Sequence, residues 1–222
     1  MMKIAYAETK KAAPEMSVLT GGYTGMPGSS PKMRERDHMT RTLTEGKGSY
    51  DVLAFHGHGS MSSYRNQVDR LVKMRRDLGI EAPWYANETA ISAILIGEMK
   101  QAETLFQKFL YSWANGAIGY NWYDLRNDGF SATDAEHNYG MVTNDFYPKA
   151  VYPAFAALAN LYRDMIFDRE IRLGDGEYAF LFRNGDTLAL AAWREVSAAD
   201  TASGLYAGAT DGRRVRRVDI MG

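Results

Sequence analysis

Three side chains stand out for the chemistry that they could perform. Glu88 follows one short apolar run, and His56 and His58 close another as His56-Gly57-His58. A carboxylate can act as a nucleophile or as a general acid or base. Two imidazoles at alternate positions of a strand lie on the same face, where they could bind a metal ion or hydrogen-bond to a carboxylate.

A second polar and aromatic group, Asn121, Trp122 and Tyr123, closes a later apolar run. Aromatic residues make up 12% of the chain, with 4 Trp, 14 Tyr and 9 Phe, and many stand beside Gly, Asn or Asp. An aromatic face packs against sugar C–H groups while nearby amides and carboxylates bind hydroxyls. Taken singly, most aromatic side chains are core residues, as we expect for Trp84.

Alternating helices and strands must position these residues. Apolar periodicity with Gly and Pro boundaries predicts helices over residues 3–13, 33–45, 64–78, 98–114 and 149–163. Short apolar runs predict strands over residues 16–22, 50–55, 82–86 and 117–122. Later runs at 177–183, 187–194 and 213–220, with Asn184-Gly185 as a hairpin signal, predict an antiparallel module.

The first part of the chain therefore indicates an α/β fold with a parallel sheet covered by helices. In such folds the ligand binds outside the carboxyl ends of the strands, whether the sheet is open or closed into a barrel. Glu88, His56, His58, Asn121 and Trp122 are predicted to converge on one site. The order of elements alone leaves half a barrel and a small open sheet as alternatives.

Eight segments follow one another along the chain in a characteristic order: Ala5–Pro14, Ser17–Gly22, Tyr50–His56, Pro83–Thr89, Gly116–Trp122, Tyr139–Asp145, Tyr147–Tyr152 and Val215–Gly222. In that order they resemble the C-terminal half of a clan A glycoside hydrolase, a retaining (β/α)8-barrel enzyme with a C-terminal β-sandwich. The first would follow the fourth barrel strand, the next four would contain strands five to eight, the next two would precede the last helix, and the last would be a sandwich strand. No single motif is decisive, but their order and spacing together are specific.

The resemblance implies both a fold and a mechanism. Residues 1–165 would form strands five to eight of a TIM barrel, and residues 166–222 a small antiparallel β-sandwich module that is incomplete. Glu88 would be the nucleophile in retaining hydrolysis of O-glycosidic bonds. The carbohydrate substrate, an oligosaccharide, polysaccharide or glycoside, would be bound by residues at the strand ends: His56, His58, Asn121, Trp122 and Tyr123.

Two departures from the family's pattern modify this expectation. The family's acid/base Glu stands in an Asn-Glu pair after the fourth strand, whereas the Asn-Glu pair of this chain, Asn87-Glu88, matches the seventh. His58 stands where the family usually has Tyr. We therefore expect a glycosidase fragment that is inactive in double displacement on its own, with two open barrel edges that favour self-association.

Each candidate residue also has a structural explanation. Glu88 could be a carboxylate near a helix dipole, which the residues alone favour; His56 could be a structural imidazole and Trp122 a core side chain. One alternative function is a non-catalytic, carbohydrate-binding or inert half-barrel. Another is a metal-dependent hydrolase that uses His56 and His58. The glycosidase interpretation requires no metal ion and no cofactor.

Composition excludes several classes of protein. With 26 Lys+Arg against 27 Asp+Glu, the net charge is -1, and the alternating basic cluster at Arg213–Arg217 indicates a solvated strand face, so no nucleic-acid partner is expected. The absence of Cys excludes disulfides and a thiolate nucleophile or metal site. No apolar run approaches the roughly 20 residues of a membrane span. No segment resembles a signal peptide, which leaves the compartment open.

Overall fold

The structure, a computed structural model, describes residues 1–24, 35–195 and 218–221. Its α-helices are α1 Met2–Ala12, α2 Glu35–Glu45, α3 Met61–Asp77, α4 Ala93–Ile96, α5 Glu98–Ala114 and α6 Val151–Tyr162, with a 3₁₀ turn at Glu136–Asn138. Its strands are β1 Leu53–His58, β2 Trp84–Ala90, β3 Ala117–Trp122, β4 Ile166–Glu170, β5 Glu177–Asn184 and β6 Thr187–Arg194. The predicted α/β architecture is confirmed, with one parallel sheet and a separate antiparallel sheet.

Strands β1, β2 and β3 form the parallel sheet in that order. Helix α3 connects β1 to β2, and α4 and α5 connect β2 to β3. The register places His56 of β1 opposite Glu88 of β2 and Thr89 of β2 opposite Trp122 of β3. Because parallel strands end at the same edge of a sheet, the candidate residues of all three strands are brought to one side of the molecule.

The predicted strand over residues 16–22 is wrong as a regular strand. This segment meets β1 only in isolated parallel bridges, Leu19 with Val52 and Tyr23 with Phe55. The amide of Ala54 donates to the side-chain Oγ1 of Thr20 at 3.0 Å, so a hydroxyl takes the place of a backbone acceptor and interrupts the ladder. The segment still lies beside β1, in the position of a fourth parallel strand.

The main core lies between the parallel sheet and its helices. Phe55, Trp84 and Tyr64 are completely buried there, and the Phe55 and Trp84 rings meet edge to face at 6.3 Å. Trp84 is thus the core residue that its early place in the strand predicts, and its Nε1 donates to the carbonyl of Asn115 at 3.0 Å. Among the residues that the structure describes, no helix has the length and apolar character needed to cross a membrane.

The antiparallel sheet has the order β4-β5-β6 and packs against α5. The rings of Phe180 and Tyr111 lie 6.1 Å apart, and those of Phe182 and Trp113 lie 5.2 Å apart. The β5–β6 hairpin turns at Gly185, whose φ of 55° fits the predicted Asn-Gly turn. Strand β4 was not predicted, and the predicted strand over residues 213–220 lies largely outside the described residues.

Candidate active site

The side chains of His56, His58 and Glu88 form a compact cluster at the carboxyl ends of β1 and β2. His58 Nε2 lies 2.9 Å from Glu88 Oε1, and His56 Nδ1 lies 3.7 Å from Glu88 Oε2. Each carboxylate oxygen therefore faces a different imidazole. The three residues are parts of the strands themselves, since β1 ends at His58 and β2 extends two residues past Glu88 to Ala90.

The cluster is accessible to a ligand but sheltered from bulk solvent. The side chain of His56 is 18% exposed, and those of His58 and Glu88 are each 35% exposed. The His56 and His58 rings are inclined to one another, with centroids 6.4 Å apart. The Glu88 carboxylate is therefore held in place by the two imidazoles and is still exposed enough to contact a substrate.

Asn87 lies behind His56 and orders its ring. The side-chain Nδ2 of Asn87 is 3.4 Å from His56 Nε2. The other ring nitrogen of His56, Nδ1, faces Glu88. The Oδ1 of Asn87 is buried without a hydrogen-bond partner, so only one end of this amide is satisfied.

Tyr123 and Tyr139 form an aromatic wall beside His58. Their ring centroids lie 6.0 Å and 5.9 Å from that of His58, and 5.8 Å from one another. The hydroxyl of Tyr123 donates to Asp128 at 3.0 Å, and this carboxylate acceptor raises the pKa of Tyr123 to about 12. Tyr139 was not predicted as a site residue because it follows the 3₁₀ turn rather than a strand.

Trp122 and Asn121 occupy different places from Tyr123. Trp122 is 8% exposed, and its Nε1 donates to the carbonyl of Tyr139 at 3.1 Å. It therefore holds the backbone of one member of the aromatic wall. The Asn121 Oδ1 accepts a hydrogen bond from Tyr85 at 2.7 Å. Within the described residues the structure brings Tyr123, but not Asn121, into contact with the cluster.

Lys108 is a buried cation beneath the cluster. Its Nζ donates to the carbonyls of Gly57 and Ala90, each at 2.9 Å, and lies 5.0 Å from the Tyr64 ring centroid. Burial lowers the pKa of Lys108 to about 7. The two carbonyls belong to the strand ends that carry His56, His58 and Glu88, so this ammonium joins β1 to β2 at the site.

Lys108 was missed because charged residues on helices are usually read as solvated. A signal was present, since Leu105, Lys108 and Tyr111 recur at helical spacing on the buried side of α5. A lysine on an otherwise buried helical face indicates a cation with internal acceptors.

Asp124 is a further carboxyl group at the end of β3. Burial, followed by the influence of Asp128, raises the pKa of Asp124 to about 6. A raised pKa is a property that a general acid needs. The described contacts of Asp124 do not include Glu88, so the structure does not join them into the paired carboxyls that retaining hydrolysis uses.

No protein-family profile and no curated protein matches the chain. Among solved structures, a family 39 glycoside hydrolase from Bacteroides cellulosilyticus WH2 superposes with a TM-score of 0.73 and 21% identity, over 88% of this chain and 44% of that protein. A glucosidase from Croceicoccus marinus superposes with a TM-score of 0.57 and 12% identity, over 87% of this chain and 48% of that protein.

The fold is similar to that of glycoside hydrolases. The chain spans less than half the length of either structure. At these identities the likeness shows the fold, and the chemistry has to be argued from the site.

Proposed function

We propose that the chain carries the nucleophile side of a retaining glycoside hydrolase site, with Glu88 as the nucleophile. One observation carries the proposal: a partly exposed carboxylate lies between two imidazoles, at the carboxyl end of a parallel sheet whose fold is similar to glycoside hydrolases. In the same proposal, the parallel strands and the segment beside β1 correspond to strands five to eight of a TIM barrel.

In this mechanism a Glu88 oxygen attacks the anomeric carbon of the sugar as the bond to the leaving oxygen breaks. The product is a glycosyl ester of Glu88 and a free alcohol that takes up one proton. Water then attacks the anomeric carbon, restores the carboxylate and releases the sugar with its original configuration. The proton donor of the first step, which also activates the water, comes from outside the described residues.

The neighbours of Glu88 have distinct roles in this proposal. His58 holds Oε1 by its 2.9 Å contact and leaves the other oxygen to attack. His56, ordered by Asn87, faces Oε2 and orients sugar hydroxyls. Tyr123 offers its ring to the sugar, with Trp122 as support and Asn121 at a further subsite.

Activated fluoroglycosides test this proposal because they require no acid catalyst. A fluorine beside the anomeric carbon slows hydrolysis of the ester, and a dinitrophenolate leaving group departs without protonation, so the covalent intermediate accumulates. We expect a panel of gluco, galacto, manno and xylo reagents to give a mass increase of one fluoroglycosyl group. Peptide mapping should place the group on Glu88.

Variants make the assignment specific. Glu88→Gln should abolish labelling, whereas Glu81→Gln, at an exposed position of the segment before β2, should label as the natural chain does. Labelling of another carboxylate would overturn the role of Glu88. Failure of every reagent, with a circular dichroism spectrum showing folded protein, would overturn the proposed activity.

A non-catalytic, carbohydrate-binding protein is the second candidate. It is favoured by the absence, within the described residues, of a second carboxyl group in contact with Glu88, together with the aromatic wall at Tyr123 and Tyr139. Sugar-induced NMR shifts at the wall without any labelling of Glu88 would support this candidate over the enzyme.

A further inference from the structure

The cluster of His56, His58 and Glu88 also has the geometry of a metal site. One potential ligand atom from each residue lies within 4.8 Å of the others. Around a tetrahedral zinc ion with bonds of roughly 2.0–2.2 Å, the ligand atoms lie about 3.4 Å apart. Small movements of the three side chains would therefore bring their ligand atoms to the distances that zinc requires. We propose that these three side chains bind a single divalent transition-metal ion, with Zn²⁺ as the ion expected from the ligand types.

The backbone predisposes the three ligands to act together. His56 and His58 are at alternate positions of β1, and Glu88 is paired in register with His56 across the sheet. Residues so placed share one face of neighbouring strands, and the bound ion would need no loop movement to reach them. The Lys108 contacts to Gly57 and Ala90 hold the two strand ends together beneath it.

The donor set selects the class of metal. Two imidazole nitrogens and a carboxylate oxygen suit Zn²⁺ and its neighbours in the first transition row, while Mg²⁺ and Ca²⁺ prefer sites made of oxygen alone. Three protein ligands also leave a fourth position of a tetrahedral ion for water.

Asn87 is positioned to set the tautomer of His56 that a metal ligand needs. With its amide as placed, Oδ1 is buried without a partner and Nδ2 faces His56 Nε2 at 3.4 Å. Rotating the amide by half a turn puts Oδ1 opposite Nε2, which then donates to it. His56 Nδ1 is left without its proton and with a lone pair aimed toward Glu88, as a metal ligand requires. In that arrangement Asn87 is the hydrogen-bond acceptor that holds the second ring nitrogen of a metal-bound histidine.

The metal and the sugar would compete for Glu88. A carboxylate oxygen engaged by Zn²⁺ cannot attack an anomeric carbon, so the ion would inhibit the hydrolase. This consequence rests on the proposed function, whereas metal binding itself does not. The glycosidase interpretation of the sequence requires no metal, and the ion proposed here is an inhibitor rather than a cofactor.

Zinc binding is measured on the untagged full chain after dialysis against EDTA, by calorimetry and by competition with a chromophoric chelator. We expect one Zn²⁺ per chain and no saturable binding of Mg²⁺. Co²⁺ in place of Zn²⁺ should give the visible absorption of a low-coordinate ion. His58→Ala and Glu88→Gln should each weaken zinc binding at least about tenfold, and Asn87→Ala about 10- to 100-fold.

His38→Ala, at an exposed position of α2, and Glu81→Gln serve as matched controls and should bind zinc normally. Binding that persists undiminished in both His58→Ala and Glu88→Gln would overturn the proposal, as would no saturable binding by the folded natural chain. The outcomes separate the two proposals: zinc binding without fluoroglycoside labelling removes the hydrolase alone, and labelling without zinc binding removes the metal site alone.

Discussion

Gly22 lies directly against the imidazole of His56. A β-carbon at position 22 would fall 1.9 Å from His56 Nε2, well inside contact distance, whereas one at Gly21 would have no atom within 4 Å. The segment that fails to form a regular strand therefore has a role at the site. Its bare backbone is the surface on which the His56 ring rests, beside Asn87.

Gly22→Ala should disable the site by displacing His56, and Gly21→Ala is its matched control. Displacement of a positioning group by about 1 Å can cost about 100-fold in rate, so we expect a loss of that order in the rate of fluoroglycoside labelling. NMR signals of the His56 ring should shift in Gly22→Ala and stay in place in Gly21→Ala. Equal labelling rates in both variants would mean that His56 is not needed for attack by Glu88.

Lys108 makes stability depend on pH in a defined direction. Its pKa is about 7 in the folded chain and 10.5 when exposed. A base with a depressed pKa destabilises the fold most below its folded pKa, and this cost is relieved as pH rises towards the unfolded value. The free energy of unfolding should therefore rise by about 2 kcal/mol between about pH 7 and pH 9, relative to a chain without this group.

Lys108→Met supplies that reference, because methionine replaces the apolar stem of the lysine with one of similar length and has no ammonium. Urea denaturation of the natural chain and the variant at both pH values gives the difference. Lys100→Met removes an exposed cation from the same helix, where Lys100 pairs with Glu103 at 2.7 Å, and should keep the rise. Parallel pH profiles for the natural chain and Lys108→Met would contradict the buried-cation account.

Asp124 makes the free energy of unfolding fall as pH rises, the opposite of the effect of Lys108. Its pKa is raised to about 6, so its ionisation costs the fold stability; that loss is absent below about pH 4 and develops as pH rises through about 6. Asp124→Asn should stabilise the chain by about 1 kcal/mol at about pH 7.5, after allowance for solvent screening of a half-exposed group. The gain should disappear near pH 4. Thermal or urea unfolding across this range measures it, with Asp134→Asn as an exposed control.

The regular elements were predictable wherever local pattern and tertiary packing agree. Helix α5 and strand β3 have the bounds that periodicity and the Asn115-Gly116 break predict. Strand β4 was missed because the charged residues of Ile166–Glu170 obscure a strand whose pairing with β5 is long-range. The predicted strand over residues 50–55 ends three residues before β1 does at His58, because Gly57 and Gly59 are typical of a turn.

The proximity of Glu88 to the two histidines was predictable, but the residues that support this candidate site were not. Glu88 and the two histidines follow from strand ends in a parallel sheet, which bring polar residues together whatever their separation in sequence. Tyr139 reaches the site from a long connection whose path no local pattern fixes. The contact of Gly22 with His56 depends on side-chain direction, which the sequence does not encode in a short pattern.

Strand β3 is expected to drive self-association. It pairs with β2 on one side, and no strand within the described residues pairs with its other side. Ile118 of this strand is 62% exposed. An open edge with an apolar side chain templates pairing with another chain, and an edge lysine prevents it. Ile118→Lys should lower the concentration-dependent mass seen by light scattering, whereas Leu125→Lys, in the loop after β3, should not.

The aromatic wall should contribute to sugar affinity through its ring faces. Tyr139 is held by Trp122 and meets His58 and Tyr123 edge to face. If a sugar on the Tyr139 ring gains what an aromatic pair gains, about 0.5–1.5 kcal/mol, Tyr139→Ala should weaken oligosaccharide binding about 3- to 10-fold, and Tyr139→Phe should preserve it. NMR titration measures both, with exposed Tyr152→Ala as the control. Equal weakening in Phe and Ala would assign the contribution to the hydroxyl, and no weakening in Ala would place the sugar elsewhere.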